Sequence, residues 1–96
     1  MNEHIVDYIG KAALLEQTAE EASELSQACL KMARKIRGEN PTPKDTNDIL
    51  ENLNEEIADV SLCCNELVDA RIASYDDIGG MAMKKYKRWC ERVKGV

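Results

Sequence analysis

Aromatic residues are scarce in this 96-residue chain, which contains no phenylalanine and only 4% aromatics in total. A core must therefore be built from Leu, Ile, Val, Ala and Met, and such residues suit packed helices. No segment alternates apolar and polar residues as strands do, and the length is sufficient for one domain only. We therefore expect an all-α fold in which residues 1–96 form a single domain of antiparallel helices.

Histidine is almost absent, and no CxxC motif accompanies the four cysteines. A zinc site built on His and Cys ligands is therefore not expected. A di-iron carboxylate bundle needs paired Glu-x-x-His motifs, and His4 alone cannot supply them. These absences leave the acidic side chains as the candidates for binding a metal.

Long hydrophobic runs are also missing. No segment approaches the roughly 20 apolar residues that span a bilayer, and the polar first residues do not form a signal peptide. The net charge of -5 and the pI of about 4.9 argue against nucleic-acid or membrane-surface binding as the main activity. We expect a cytoplasmic protein.

Helical periodicity dominates the first half of the chain. Gly38 follows Lys35 and Arg37, a combination typical of a helix C-terminus. Gly10 can interrupt this helix near its start and leave a short helix from about His4. A loop is expected over residues 38–44, which contain two prolines. The predicted apolar stripe consists of Leu14, Thr18, Leu25, Cys29, Met32 and Ile36, with Ala22 alongside.

A second helix is predicted to begin after a cap at Thr46 or Asn47 and to run to about Ile72. Ser74 can cap a third helix. Gly79 and Gly80 weaken that helix by roughly 1 kcal/mol each relative to Ala, so it begins after them or uses them for close packing. The apolar stripe of the second helix is Leu50, Leu53, Ile57, Val60, Cys64, Leu67 and Val68.

Two cysteines fall within these stripes. Free Cys behaves as a small hydrophobic residue, so Cys29 and Cys64 are expected to be reduced and to lie in the core.

Two acidic clusters stand out on the first two helices, Glu20-Glu21-x-x-Glu24 and Glu55-Glu56-x-x-Asp59. Residues three apart on a helix lie side by side, with about 5–6 Å between Cβ atoms. Packing of the two helices would therefore bring four carboxylates together. Glu21 falls within its apolar stripe, and an ionised carboxylate in a core is costly without a partner.

Basic residues are missing where they could neutralise these clusters. None lies between Lys11 and Lys31, or between Lys44 and Arg71, so ion pairs within each helix cannot do so. Hard divalent cations such as Mg²⁺ prefer oxygen ligands. The pattern favours a metal site over the alternative of an incidental, solvated acidic face.

The two motifs in this order resemble the EExxE…ExxD signature of the MazG-like all-α nucleoside triphosphate pyrophosphohydrolases. The resemblance covers about residues 13–89. The segment from Lys85 to Arg88 is also similar to the basic segment of that family.

The resemblance implies a helical protomer completed by homo-oligomerisation, as a homodimer or homotetramer. It implies Mg²⁺-dependent hydrolysis of (d)NTPs between the α- and β-phosphates. The implied roles, by motif position, are metal binding for Glu21, Glu24, Glu56 and Asp59, a supporting or water-orienting role for Glu20, and phosphate binding for Lys85 and Arg88. The chemistry is consistent with this, because phosphoryl transfer depends on charge neutralisation and on a positioned water.

Base recognition is weakly marked. The resemblance implies aromatic or His residues near the N-terminus or from a neighbouring subunit, and the available candidates are His4, Tyr8, Tyr75 and Trp89. His4 and Tyr8, four residues apart, share a helical face. Two alternatives stay open. Phosphoribosyl-ATP pyrophosphohydrolases have a related fold, but usually carry Tyr-His after the second motif, where this chain has Val60-Ser61. The other alternative is a helical interaction module without activity.

Overall fold

Three helices account for most of residues 3–39 and 45–95, which are the residues that the computed structural model describes. They are α1 (Ile5–Arg37), α2 (Thr46–Asp69) and α3 (Tyr75–Lys94). These ranges contain no strand, so the predicted all-α class is confirmed.

Glycines occupy the break within α1 and the position that ends it. Gly10 has φ 85° and ψ 166°, a conformation that costs glycine little, and the helix is broken there as predicted. Gly38 ends the helix in the left-handed region, and its N–H is directed at the carbonyls of Arg34 and Lys35. Residues 40–44 of the expected loop lie outside the described residues.

Both predicted ends of α2 were wrong by a few residues. The N-cap is Asp45, whose side chain accepts a hydrogen bond from the N–H of Asn47, because a carboxylate one position before Thr46 can reach that donor. The helix ends at Asp69 and not near Ile72. Arg71 has φ 61°, and a left-handed residue cannot continue a right-handed helix.

Helices α1 and α2 pack against each other as an antiparallel hairpin. The N–H of Ile5, at the start of α1, donates to Glu66 near the end of α2. The most buried residues are spaced by two heptads on each helix, Leu14 and Ala28 on α1 and Ile49 and Cys63 on α2. This is the spacing of bundle packing, and it places the centre of the hairpin at residues 21 and 56.

The predicted apolar stripes are displaced from the buried rows. Ile49 is only 1% exposed, whereas Leu50 is 41% and Ile57 45% exposed. On α1, Ile36 and Cys29 are exposed. Each predicted stripe spanned several neighbouring rows of one helix, and periodicity alone does not say which row meets the neighbouring helix.

The cysteine prediction was partly wrong for the same reason. All four thiols are free, but Cys63 is the buried one, Cys64 is half-buried and Cys29 is exposed. Burial raises the pKa of the Cys63 thiol, although a hydrogen bond with Thr18 opposes this effect.

Helix α3 begins at Tyr75, and Ser74 caps it as predicted by accepting from the N–H of Asp77. Gly79 and Gly80 lie inside the helix, so they do not delay its start. A Cβ built on either would meet no atom of the described residues within 4 Å, so these residues show no close helix packing at the two glycines. No residue of α3 is buried, and the extended helix contact is the one between α1 and α2.

The described helices include none with both the length and the apolar character needed to cross a bilayer.

Candidate metal centre

The acidic motifs meet at the middle of the hairpin. One carboxylate oxygen from each of Glu21, Glu24 and Glu56 lies within 4.8 Å of the other two. Glu21 is seven residues from both Leu14 and Ala28, so the packing of α1 on α2 fixes its position. Glu56 occupies the equivalent place on α2, midway between two buried residues.

Two oxygen atoms of this group are buried without a hydrogen-bond partner. They are Oε2 of Glu21 and Oε2 of Glu56. The other oxygen of Glu21 accepts a hydrogen bond of 2.8 Å from Nε2 of Gln17. An unpaired buried polar group costs about 1–3 kcal/mol, and a charged one costs more, so two such atoms together call for a partner.

No basic side chain provides that partner within the part of the chain that the structure describes. The contacts there between a basic side chain and a carboxylate all involve His4, at the far end of the hairpin. Partial desolvation raises the pKa of Glu56, and the nearby carboxylates of Glu24, Asp59 and Glu21 raise it further. The acidic cluster therefore carries its negative charge at an energetic cost, which a bound cation would reduce.

Asp59 and Glu20 lie outside the group of three oxygens. Asp59 is half-buried one turn beyond Glu56, close enough to raise the pKa of Glu56. Glu20 is exposed, because consecutive helical residues point about 100° apart. The structure therefore gathers three of the four predicted ligands, with Asp59 at the margin and Glu20 on the solvent side.

The donor set suits a hard divalent cation. All three ligand atoms are carboxylate oxygens, and no Cys or His takes part. Mg²⁺ keeps several water molecules and needs few protein ligands. The two partnerless oxygens of Glu21 and Glu56 also fit such an ion, so the residues present are compatible with Mg²⁺.

The predicted phosphate-binding residues are exposed on α3. Lys85 and Arg88 line a shallow depression of about 820 Å³ together with Trp89 and other residues of the same helix. A depression lined by a single helix is open surface and does not enclose a ligand. Within this chain, Lys85 and Arg88 form no ion pair with the described carboxylates.

The candidates for base binding do not share a pocket with the acids. Nδ1 of His4 lies 3.5 Å from Oδ2 of Asp69 and 4.0 Å from Oε2 of Glu66. Tyr8 is 70% exposed, and a hydrogen bond with Glu3 raises its pKa. His4 thus links the start of α1 to the end of α2, and base binding stays a prediction.

Sequence reasoning overlooked Gln17. Its side-chain amide holds Glu21 in place from one turn earlier on α1. A Gln four residues before an acid is a known helix-stabilising pair, so the spacing Gln17-x-x-x-Glu21 could have drawn attention to it.

No protein family, curated protein or solved structure matches this chain.

Proposed function

We propose that this protein is a Mg²⁺-dependent nucleoside triphosphate pyrophosphohydrolase. The observation that carries the proposal is the convergence of Glu21, Glu24 and Glu56, two of which have a buried oxygen without a partner. The acidic motifs resemble the MazG-like signature in their order and spacing, and this resemblance supports hydrolysis between the α- and β-phosphates as the reaction. A role in cleansing the nucleotide pool of a cytoplasmic compartment follows from that activity.

The three glutamates would hold the ion, with Asp59 beside them. When bound, Mg²⁺ neutralises charge on the phosphates and lowers the pKa of a coordinated water. Gln17 keeps Glu21 oriented, and a fixed ligand orientation favours metal affinity. Lys85 and Arg88 would bind phosphate oxygens through charge-assisted hydrogen bonds.

The remaining residue of the first motif has a role in proton transfer. The oxygen of a water molecule forms a bond to the phosphorus atom that it attacks. The bridging P–O bond between the α- and β-phosphates breaks, which gives a monophosphate and pyrophosphate. Glu20 is exposed on the turn that carries Glu21, where it can orient that water and accept its proton. The proposal includes assembly as a homodimer or homotetramer.

Product analysis tests the proposal directly. Purified protein is incubated with a panel of NTPs and dNTPs, with Mg²⁺ or with a chelator, and the products are resolved by anion-exchange chromatography. We expect a monophosphate and pyrophosphate only when Mg²⁺ is present. Release of orthophosphate would contradict cleavage between the α- and β-phosphates. Turnover of phosphoribosyl-ATP, without turnover of any NTP or dNTP, would identify phosphoribosyl-ATP as the substrate in their place.

The inactive interaction module is distinguished by a binding measurement. Folded protein that neither turns over a nucleotide nor gains thermal stability from Mg²⁺ would favour that alternative. Stabilisation by Mg²⁺ without turnover would preserve the metal centre and refute the nucleotide panel as substrates.

A further inference from the structure

A second group of metal-ligating side chains lies at the far end of the hairpin from the acidic centre. His4, at the start of α1, faces Glu66 and Asp69 at the end of α2, and one donor atom from each lies within 4.8 Å of the other two. We term these three residues the His4 cluster. Ten residues of α2 separate Glu66 from Glu56, which is about 15 Å along the helix. The His4 cluster is therefore separate from the candidate metal centre.

The distances in the His4 cluster are too long for charge-assisted hydrogen bonds. Nδ1 of His4 lies 3.5 Å from Oδ2 of Asp69 and 4.0 Å from Oε2 of Glu66, whereas a hydrogen bond between an imidazolium and a carboxylate is about 2.7–2.9 Å long. Zn²⁺ binds nitrogen and carboxylate oxygen at about 2.0–2.2 Å, so two of its ligands at a tetrahedral angle are about 3.4 Å apart. The separation of Nδ1 from Oδ2 is of this size, and a small rotation of the Glu66 side chain gives its oxygen the same separation.

The end of α2 lacks the positive charge that a helix C-terminus favours. Unsatisfied carbonyls give this end a partial negative charge, so a cation is stabilising there. The last turn of α2 contains no basic residue, and it carries Glu66 and Asp69, which are three residues apart and therefore side by side. Two carboxylates and the negative end of the helix thus meet at one place. A divalent cation would offset this charge more fully than the imidazole of His4 alone.

Backbone hydrogen bonds hold the His4 cluster in position. Oε2 of Glu66 accepts a bond of 3.3 Å from the N–H of Ile5, and the N–H of His4 donates to Oδ2 of Asp7 at 3.3 Å. Each oxygen of an ionised carboxylate has two lone pairs, so Glu66 can bind an ion and still accept from Ile5. Outer partners of this kind orient the ligands of metal sites.

We propose that His4, Glu66 and Asp69 form a second metal site, which takes a divalent transition-metal ion such as Zn²⁺. Imidazole with carboxylates suits Zn²⁺, whereas Mg²⁺ prefers oxygen ligands alone. The donor set differs from the His and Cys sites that the sequence does not predict, and three protein ligands leave a position for water. Because both helices supply ligands, the ion fastens the first turns of α1, before the break at Gly10, to the end of α2.

Nuclear magnetic resonance of the imidazole tests the site, because His4 is the one histidine of the chain. Isotope-labelled protein without an affinity tag is titrated with Zn²⁺ and, separately, with Mg²⁺. We expect Zn²⁺ to shift the Nδ1 resonance of His4 and Mg²⁺ to leave it unchanged. A Zn²⁺ titration that leaves Nδ1 unshifted, or that shifts Nε2 as the coordinated nitrogen, would overturn the proposal.

Asp69→Asn tests the carboxylate ligands, with Asp48→Asn as the matched control. Both aspartates are exposed on α2, at its opposite ends. The Zn²⁺ concentration that gives half of the His4 shift should rise in Asp69→Asn by more than the roughly 10–100-fold typical of outer-shell changes. It should stay unchanged in Asp48→Asn. Equal values in the two variants would overturn the proposal.

Glu56→Gln separates the two metal sites. It removes a ligand of the acidic centre only, so the shift of His4 by Zn²⁺ should persist in this variant. Loss of that shift would show that the ion acts from the acidic centre and would overturn the second site. The titration of the unmutated protein needs no variant to fold, and none of these measurements uses a nucleotide. The second site and the proposed function can therefore fail separately.

Discussion

Two adjacent rows of the hairpin reverse the usual distribution of charge. The inner row places Glu21 and Glu56 between buried apolar residues, where ionised groups are rare without a partner. The neighbouring row consists of uncharged residues that are exposed except for the half-buried Cys64, namely Leu15, Ala22 and Cys29 on α1 and Leu50, Ile57 and Cys64 on α2. Charged residues are unfavourable in the buried inner row, and uncharged residues are unusual in a row that faces solvent. The inner row lacks a partner for the buried oxygens of Glu21 and Glu56 among the described residues, and the cation of the proposed function would supply one.

Glu21→Gln should have the largest effect. It keeps the shape of the side chain but removes the charge that would hold the ion, so we expect turnover to fall by more than the roughly 10–100-fold typical of outer metal-shell changes. Glu16→Gln is the matched control, because Glu16 is exposed on the same helix. Steady-state kinetics with circular dichroism measure activity and fold. Equal activity in both variants would remove Glu21 from the site.

Mg²⁺ should stabilise the folded protein through the inner row. At 100 times its dissociation constant, a ligand specific for the folded state adds about 2.7 kcal/mol to the free energy of unfolding. Urea unfolding with and without Mg²⁺ measures this gain, which Glu56→Gln should largely abolish and Leu62→Glu should retain. A Glu56→Gln protein that keeps the whole gain would show that the ion binds elsewhere.

Gln17→Ala should weaken Mg²⁺ binding by roughly tenfold, within the range for residues that orient metal ligands. Its amide donates a hydrogen bond to Glu21 from one turn earlier on α1. Gln27→Ala, also at an exposed glutamine of α1, is the control. Isothermal titration calorimetry measures the two affinities. A shift in stability without a shift in affinity would give Gln17 a purely structural role.

The smallest effect concerns pH in the presence of a chelator. The pKa of Glu56 is raised above that of an ordinary glutamate, so the folded state binds its proton more tightly than the unfolded state does. Stability from this group is therefore present at low pH and is lost as pH rises from about 4.5 through the raised pKa. Urea midpoints between pH 4 and 7 should decline less in Glu56→Gln. An identical decline in both proteins would assign the pH dependence to other groups.

Helix breaks, helix ends and helix caps could be predicted from the sequence where they depend on residues close together in the chain. Gly10 and Gly38 break and end α1, and Ser74 caps α3, because backbone conformation and capping are decided within a few residues. The cap at Asp45 was missed in favour of the next two residues, since Asp, Thr and Asn compete closely at this position. The acidic motifs were recognisable because their spacing is helical and bases are absent nearby.

The row that becomes buried could not be identified from periodicity. Cys29 and Cys64 were predicted to lie in the core, but Cys29 is exposed and Cys63 is the buried cysteine. A helix with apolar residues in adjacent rows can turn any one of those rows toward its neighbour. Only packing of α1 on α2 selects Leu14, Ala28, Ile49 and Cys63 as the inner row.

The sequence by itself thus determined three helical segments, their breaks and two clusters of acids without bases. The tertiary structure alone decided that Glu21, Glu24 and Glu56 meet while Asp59 stays at the margin. The physical reason is one of range. Helix spacing and capping act over three to seven residues, whereas the pairing of residues 21 and 56 depends on how two helices rotate against each other.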